Sequence, residues 1–187
     1  MTRSYEDLPA GLPVPEDDGA ADHLLGARIP DLGLPATTGG EVNLLREAAG
    51  TLVLYVYPRT GTPGEPLPPG WDDIPGARGC TPQACSFRDS YDDFERLGVR
   101  LLGLSAQLFA DQLEFAERVG LHYPLLSDPE LELGRALDLP TFAVAGMRLY
   151  KRLTLIVEAA VIVKAFYPVF PPDRSAAEVL AWLVRDS

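Results

Sequence analysis

Gly79-Cys80-Thr81-Pro82-Gln83-Ala84-Cys85-Ser86-Phe87-Arg88-Asp89 is the stretch on which the reading of this chain turns. It contains both cysteines of the 187-residue sequence, with four residues between them. Pro82 follows Cys80 by two positions, and an amphipathic run continues to Leu97. That order predicts a helix opening at the first cysteine, because proline is tolerated in a first turn, where its missing N–H would have had no partner. Unpaired N–H groups and the helix dipole at that end favour a thiolate at Cys80 over the thiol. Arg78 adds positive charge two residues upstream.

On a regular helix, residues five apart are separated by about 7.5 Å of rise and roughly 140° of rotation, so their Cα atoms lie roughly 8.6 Å apart. That exceeds the ~7 Å limit for a disulfide. Cys80 and Cys85 can therefore be joined only if the helix start unwinds, which suits a redox cycle with a conformational step better than a static cross-link. The alternative is that both are small buried apolar side chains, as free cysteines commonly are.

Around this stretch the pattern is α/β. Thr51-Leu-Val-Leu-Tyr-Val-Tyr57 is a continuous β-rich run that suits a strand buried on both faces. Before it, two short apolar stretches flank Gly39-Gly40 and predict a hairpin, followed by a helical turn over Leu44–Ala49. After it come a helix over Ser86–Leu97, a second buried strand over Val99–Ser105 and an amphipathic helix over Phe109–Val119. A short helix over Pro129–Leu137 precedes an extended stretch at Pro140–Val144. Leu153–Phe166 is apolar, but Glu158, Lys164 and its shortness argue against a membrane span and for two strands turned near Glu158–Ala160. Ser175-Ala-Ala-Glu has the form of a capping box opening a last helix. Strands alternating with helices give a central sheet with crossover connections.

The length and the 47% hydrophobic content fit one domain with a single core. The net charge of −11 argues against nucleic acid or an anionic membrane as a partner. Residues 1–25 are acidic, broken by proline and without an apolar core segment; they are expected to form a solvated arm, with a short helix near Ala20–Leu25, rather than a signal peptide. Two cysteines do not make a secreted disulfide framework, and a cytoplasmic location with reduced thiols is expected. His23 and His122 show no metal-binding spacing. A zinc site from Cys80, Cys85 and a histidine remains an alternative without a second paired-ligand motif.

Gly-Cys-Thr-x-x-x-Cys-x-Phe-Arg-Asp, with an upstream strand ending in Tyr57-Pro58, resembles the peroxiredoxins of the PrxQ (bacterioferritin-comigratory-protein) type, and the similarity runs through most of the chain after about Ala27. The resemblance implies a thioredoxin-like α/β fold over residues 26–187, with a mixed sheet flanked by helices. It implies that Cys80 is the peroxidatic cysteine and Cys85 the resolving one. Arg152, directly before the Leu153 strand, matches an arginine that points toward the peroxidatic sulfur, better than Arg148 does. Pro58 and a threonine, Thr60 or Thr62, match the motif that precedes the cysteine. Arg88 is expected to be a structural ion-pair former. The implied activity is reduction of hydrogen peroxide and organic hydroperoxides, with a thioredoxin-like reductant, no metal or organic cofactor, and a monomer or weak homodimer as the assembly. A redox-sensing protein using the same disulfide as a switch is the alternative.

Two departures from that family stand out. The motif is split by a Pro/Gly-rich insertion at about residues 63–78, so that Thr62 lies far from Cys80 in sequence and position 77 is alanine. The turn after Glu158 lacks an Asp-Gly pair. The insertion is expected to be an ordered cover beside the thiol, anchored by Trp71 and Ile74.

Overall fold

The computed structural model describes residues 8–185. Its frame is a five-stranded mixed sheet of order β5-β4-β3-β8-β9, with β3 (Thr51–Val56) at the centre. β3 runs parallel to β4 (Val99–Ser105), which runs parallel to β5 (Leu125–Ser127). On its other side β3 pairs antiparallel with β8 (Leu153–Glu158), and β8 with β9 (Val161–Phe166). Leu52 through Val56 are all at 0% exposure, which explains why this strand reads as an unbroken apolar run rather than an alternating one.

Alternation of side chains divides the interior into two layers. Leu52, Leu54, Val56, Leu153, Leu155 and Val157 share one layer with α1 (Leu44–Glu47), the β1–β2 hairpin (Gly33–Pro35, Glu41–Asn43) and α5 (Glu132–Leu137). Val53, Tyr55, Tyr57 and Ile156 share the other with α2 (Cys80–Asp89), α3 (Tyr91–Arg96), α4 (Phe109–Val119) and α6 (Ser175–Arg185). A second hairpin, β6 (Thr141–Val144) and β7 (Met147–Tyr150), stands outside the sheet and delivers the chain to Arg152 and β8.

Three expectations need correction. The helix expected over Ser86–Leu97 is two helices: α2 begins at Cys80 and ends at Asp89, and Ser90 (φ −104°, ψ 7°) breaks the line before α3. Ser175 does not cap α6; it already has helical dihedrals (φ −55°, ψ −46°) because a 3-10 turn, Pro172–Arg174, feeds the helix, and its hydroxyl instead meets the Gln83 amide at 3.2 Å. The acidic arm is no solvated tail over its described residues. Ala21 and Leu24 are buried in the core, and Asp18 pairs with Lys151 (2.7 Å) and accepts from the Tyr167 hydroxyl (2.7 Å). A short 3-10 turn does form there, at Asp22–Leu24. Residues 1–7 lie outside the described residues.

The β8–β9 hairpin turns on Ala159 (φ 47°) and Ala160 (φ 66°), the two left-handed positions that a type I′ turn requires. Their N–H groups bond Gly50 O (3.1 Å) and Ala48 O (2.7 Å), so the surrounding backbone holds a conformation alanine does not favour. No helix among the described residues is long and apolar enough to cross a membrane.

Candidate active site

Cys80 is the first residue of α2 and is 4% exposed. The preceding Gly79 takes φ +104°, and a Cβ there would lie 2.4 Å from Pro172 Cγ and 2.7 Å from Leu8 Cδ2. Only glycine provides both the left-handed turn and the close approach that aim Cys80 inward. The Sγ lies 3.8 Å from Ala77 O and 3.2 Å from Arg152 Nη2.

Arg152, 3% exposed, is held by its whole fork. Nε donates to Gly76 O (3.3 Å), Nη2 to Ala77 O and Arg78 O (3.1 Å each), and Nη1 to Gln83 Oε1 (2.5 Å). A planar guanidinium with five fixed donors suits this task; a lysine ammonium would not span it. The acceptors are the last carbonyls of the Pro/Gly-rich insertion and a side chain on the first turn of α2. One arginine from the start of β8 thus ties the insertion, the helix start and the sulfur together. Arg148 is elsewhere, with Nη1 on the Thr141 hydroxyl at 3.1 Å.

Thr60 is buried and lines the same narrow cleft as Cys80, together with Arg59, Leu67, Trp71 and Arg78. Its N–H (2.7 Å) and hydroxyl (3.1 Å) both donate to Gln107 Oε1, and its carbonyl accepts from Gln107 Nε2 (3.3 Å). The structure therefore brings Cys80, Arg152 and Thr60 together. Thr62 is half-buried outside the cleft lining, where its carbonyl accepts from the Glu65 N–H (3.1 Å). Pro58 is buried at the end of β3, with its carbonyl bound by the Ser105 hydroxyl (3.0 Å), and it does not line the cleft.

Cys85 is half-buried five residues along the same helix, and neither cysteine is in a disulfide. The i→i−4 bond from Gln83 N to Gly79 O (3.1 Å) shows the first turn closed. Arg88 donates to Asp89 (2.8 Å) and to Val119 O (2.7 Å), the structural role expected of it. Beneath the helix, Tyr123 donates to Ala84 O (3.0 Å) and exchanges a 2.9 Å hydrogen bond with Tyr55, while Tyr57 donates to Gln112. Burial pushes the Tyr57 phenol well up, and the neighbouring Cys80 charge adds to the shift while Arg152 opposes it. Tyr57 stays a neutral donor committed to Gln112.

The insertion is ordered. Trp71 is buried in a 3-10 turn, Trp71–Asp73, and forms a small core with Ala77 and Leu149, joined by Leu67, Ile74, Phe142 and Met147. The Trp71 and Phe142 rings lie 6.1 Å apart, and Arg78 pairs with Asp72 at 3.0 Å. Ile74 is only half-buried, so Trp71 is the main anchor. Gln83 and Gln107 were not anticipated from the sequence. A glutamine within the first turn of a reactive helix was the available signal for Gln83; none pointed to Gln107. Among the described residues no group of three His, Cys, Asp or Glu side chains could hold a metal ion, and His23 Nε2 meets Leu137 O at 2.9 Å.

A cysteine at a helix start above the central strand of such a sheet defines a thioredoxin-like protein with a thiol site. The chain belongs to the Redoxin family, whose model matches residues 24–180. It is 31% identical over 159 residues to the chloroplastic peroxiredoxin Q of Arabidopsis thaliana, covering 84% of this chain and 66% of that protein's length. It is similar in structure to peroxidoxin BcpB from Mycobacterium tuberculosis, with TM-score 0.71 at 26% identity over 87% of this chain and 97% of that one. The bacterioferritin comigratory protein of Xanthomonas campestris matches with TM-score 0.66 at 25% identity, over 95% and 99% of the two chains.

Proposed function

We propose that the chain is a thiol peroxidase that reduces hydrogen peroxide and organic hydroperoxides. The observation that carries this reading is the 3.2 Å approach of Arg152 Nη2 to the buried Cys80 sulfur at the start of α2. A nucleophilic sulfur needs fixed donors where charge develops, and preorganised donors in a dry site are the strongest such aid. The Cys80 thiolate attacks the distal peroxide oxygen, the O–O bond breaks, and the alkoxide or hydroxide takes a proton and leaves as alcohol or water. The sulfur, oxidised by two electrons, becomes a sulfenic acid. Arg152 N–H groups stabilise the charge on the peroxide oxygens, and the Thr60 hydroxyl supplies a further donor by rotating from Gln107. The Cys85 thiol then displaces water from the sulfenic acid to form a disulfide. A thioredoxin-like dithiol reduces that disulfide by exchange and restores both thiols. A cytoplasmic compartment, where thiols are kept reduced, supplies such a reductant. The bacterioferritin comigratory protein of X. campestris carries an alkyl peroxide reduction activity, which supports organic hydroperoxides as substrates.

Steady-state peroxide consumption with thioredoxin, thioredoxin reductase and NADPH tests the proposal. Sustained turnover in the wild type and none in Cys80→Ser is the expected result. A single equivalent consumed without turnover would favour a redox switch instead.

A further inference from the structure

Met147 is one of two methionines in the chain, the other being Met1, and the only one among the described residues. It opens β7, just past the Ala145-Gly146 turn of the β6–β7 hairpin. The residue is half-buried and lines a cavity of about 330 Å³ together with Arg59, Leu108, Asp111 and Leu149. Leu108 and Asp111 are exposed, so the cavity opens to solvent. Hydrogen peroxide, little larger than a water at roughly 30 Å³, has ample room there. Nothing in the peroxidase reading uses this thioether.

Two contacts give this sulfur a role. Arg59 Nη1 donates to Met147 Sδ at 3.3 Å. A thioether is a weak acceptor, whereas the oxygen of a sulfoxide is polar and accepts strongly. The guanidinium thus stands beside the atom that oxidation would turn into a better partner, and a hydrogen bond from a charged donor is among the stronger ones. A sulfur with two lone pairs keeps one for reaction while the other accepts from Arg59. On its other side Met147 packs against the small core of Trp71, Ala77 and Leu149 that seats the insertion. Gly76 O and Ala77 O, at the end of that insertion, are acceptors of Arg152. Oxidation makes a flexible apolar side chain polar and disrupts the apolar packing it belongs to.

We propose that Met147 is a reversible oxidation site, at which peroxide forms a sulfoxide held by Arg59 and the insertion loosens from its Trp71 core. A lone pair of Met147 Sδ attacks one oxygen of hydrogen peroxide. The S–O bond forms as the O–O bond breaks, and the sulfur is oxidised by two electrons. The leaving oxygen takes up the proton of the attacked oxygen and departs as water. Arg59 donates to the oxygen left on the sulfur. A methionine sulfoxide reductase returns the thioether. Peroxide enters only as the oxidant, so the site stands independently of turnover at Cys80.

The test uses the full chain with Cys80→Ser and Cys85→Ser, so that no thiol competes for peroxide. Excess hydrogen peroxide is added with N-acetylmethionine amide in the same tube, and both oxidations are followed by mass spectrometry. Met147 is expected to be oxidised alongside the free reference despite its half-burial. Arg59→Leu should slow it about three- to tenfold, the scale of one partly exposed hydrogen bond from a charged donor, and Arg59→Lys should keep it. Trp71 and Trp182 are the two tryptophans, so Trp182→Phe in this background isolates the emission of Trp71. That emission should shift to the red on oxidation, return with methionine sulfoxide reductase, and stay fixed in Met147→Leu. Tryptic cleavage after Arg78, 5% exposed, should accelerate on oxidation and reads the same loosening with Trp182 in place. A Met147 that stays reduced while the reference is consumed, or a rate unchanged or raised in Arg59→Leu, overturns the proposal. So does a confirmed sulfoxide that leaves both Trp71 emission and cleavage after Arg78 unchanged.

Discussion

Arg152 Nη2 is shared between the Cys80 sulfur at 3.2 Å and two carbonyls at 3.1 Å, while Nη1 and Nε reach Gln83 and Gly76. In the proposed reaction the same side chain therefore serves both the chemistry and the local structure. Removing it withdraws a donor from the charge that develops on the peroxide, typically about 10²–10³ in rate. It also removes the arginine's hydrogen bonds to the Ala77 and Arg78 carbonyls, about 0.5–1.5 kcal/mol each or more where the donor is charged. Arg152→Ala is expected to lose at least a hundredfold in the second-order rate with peroxide and to lose stability as well, read by stopped flow and urea unfolding on the same sample. A rate within twofold of wild type would remove Arg152 from the site. Arg152 was legible in the sequence through the family resemblance, with its place just before an apolar strand supplying the register. Thr60 and Thr62 could not be told apart, because which threonine faces the sulfur depends on the Gln107 clamp, 47 residues on from Thr60.

At the scale of elements, α2 carries both cysteines of the proposed mechanism, and its closed first turn resists the second step. Cys80 and Cys85 sit in one closed helix, where residues five apart are roughly 8.6 Å between Cα atoms, beyond the ~7 Å a disulfide allows. Forming it must open the first turn, break the Gln83–Gly79 bond and disturb the grip of Arg152 on Gln83. Amide exchange across Cys80–Phe87 is expected to accelerate on oxidation, while β3 and β4 keep their protection. Unchanged exchange in the helix, with the disulfide confirmed by mass spectrometry, would contradict this. The strands of the sheet were readable because burial on both faces leaves an unbroken apolar run. The break at Ser90 was not, because Ser86–Leu97 keeps helical spacing of apolar residues on both sides of it. The β6–β7 hairpin was missed for a similar reason: its Ala145-Gly146 turn carries little turn chemistry, and its partner is the insertion rather than the main core.

For the molecule as a whole, the acidic arm and the insertion close over one end of the sheet. Pro15, Glu16 and Asp18 face Ile74, Pro75 and Gly76 across a cavity of about 310 Å³ that Arg152 also lines. Composition alone made the arm look solvated, since its charges are visible in sequence and their partners Lys151 and Tyr167 are not. Hydrogen bonds from Lys151 and then Tyr167 hold the Asp18 carboxyl at about 2, below its usual 3.8. A depressed carboxyl pKa stabilises the docked arm above about pH 4, and the contribution is lost as pH falls through about 2. Proteolysis by pepsin between pH 4 and 2 is therefore expected to cut the wild-type arm increasingly as pH falls. Asp18→Asn should expose it already at pH 4. Equal susceptibility of both proteins across that range would mean that the contact with Lys151 does not hold the arm.

The central claim is that Cys80, and not Cys85, meets the peroxide. The direct measurement is to treat Cys85→Ser and Cys80→Ser separately with one equivalent of hydrogen peroxide, trap sulfenic acid with dimedone, and locate the adduct by mass spectrometry. The account predicts a stoichiometric adduct on Cys80 in Cys85→Ser and none on Cys85 in Cys80→Ser. An adduct on Cys85 in Cys80→Ser, with none on Cys80 in the other variant, would contradict it.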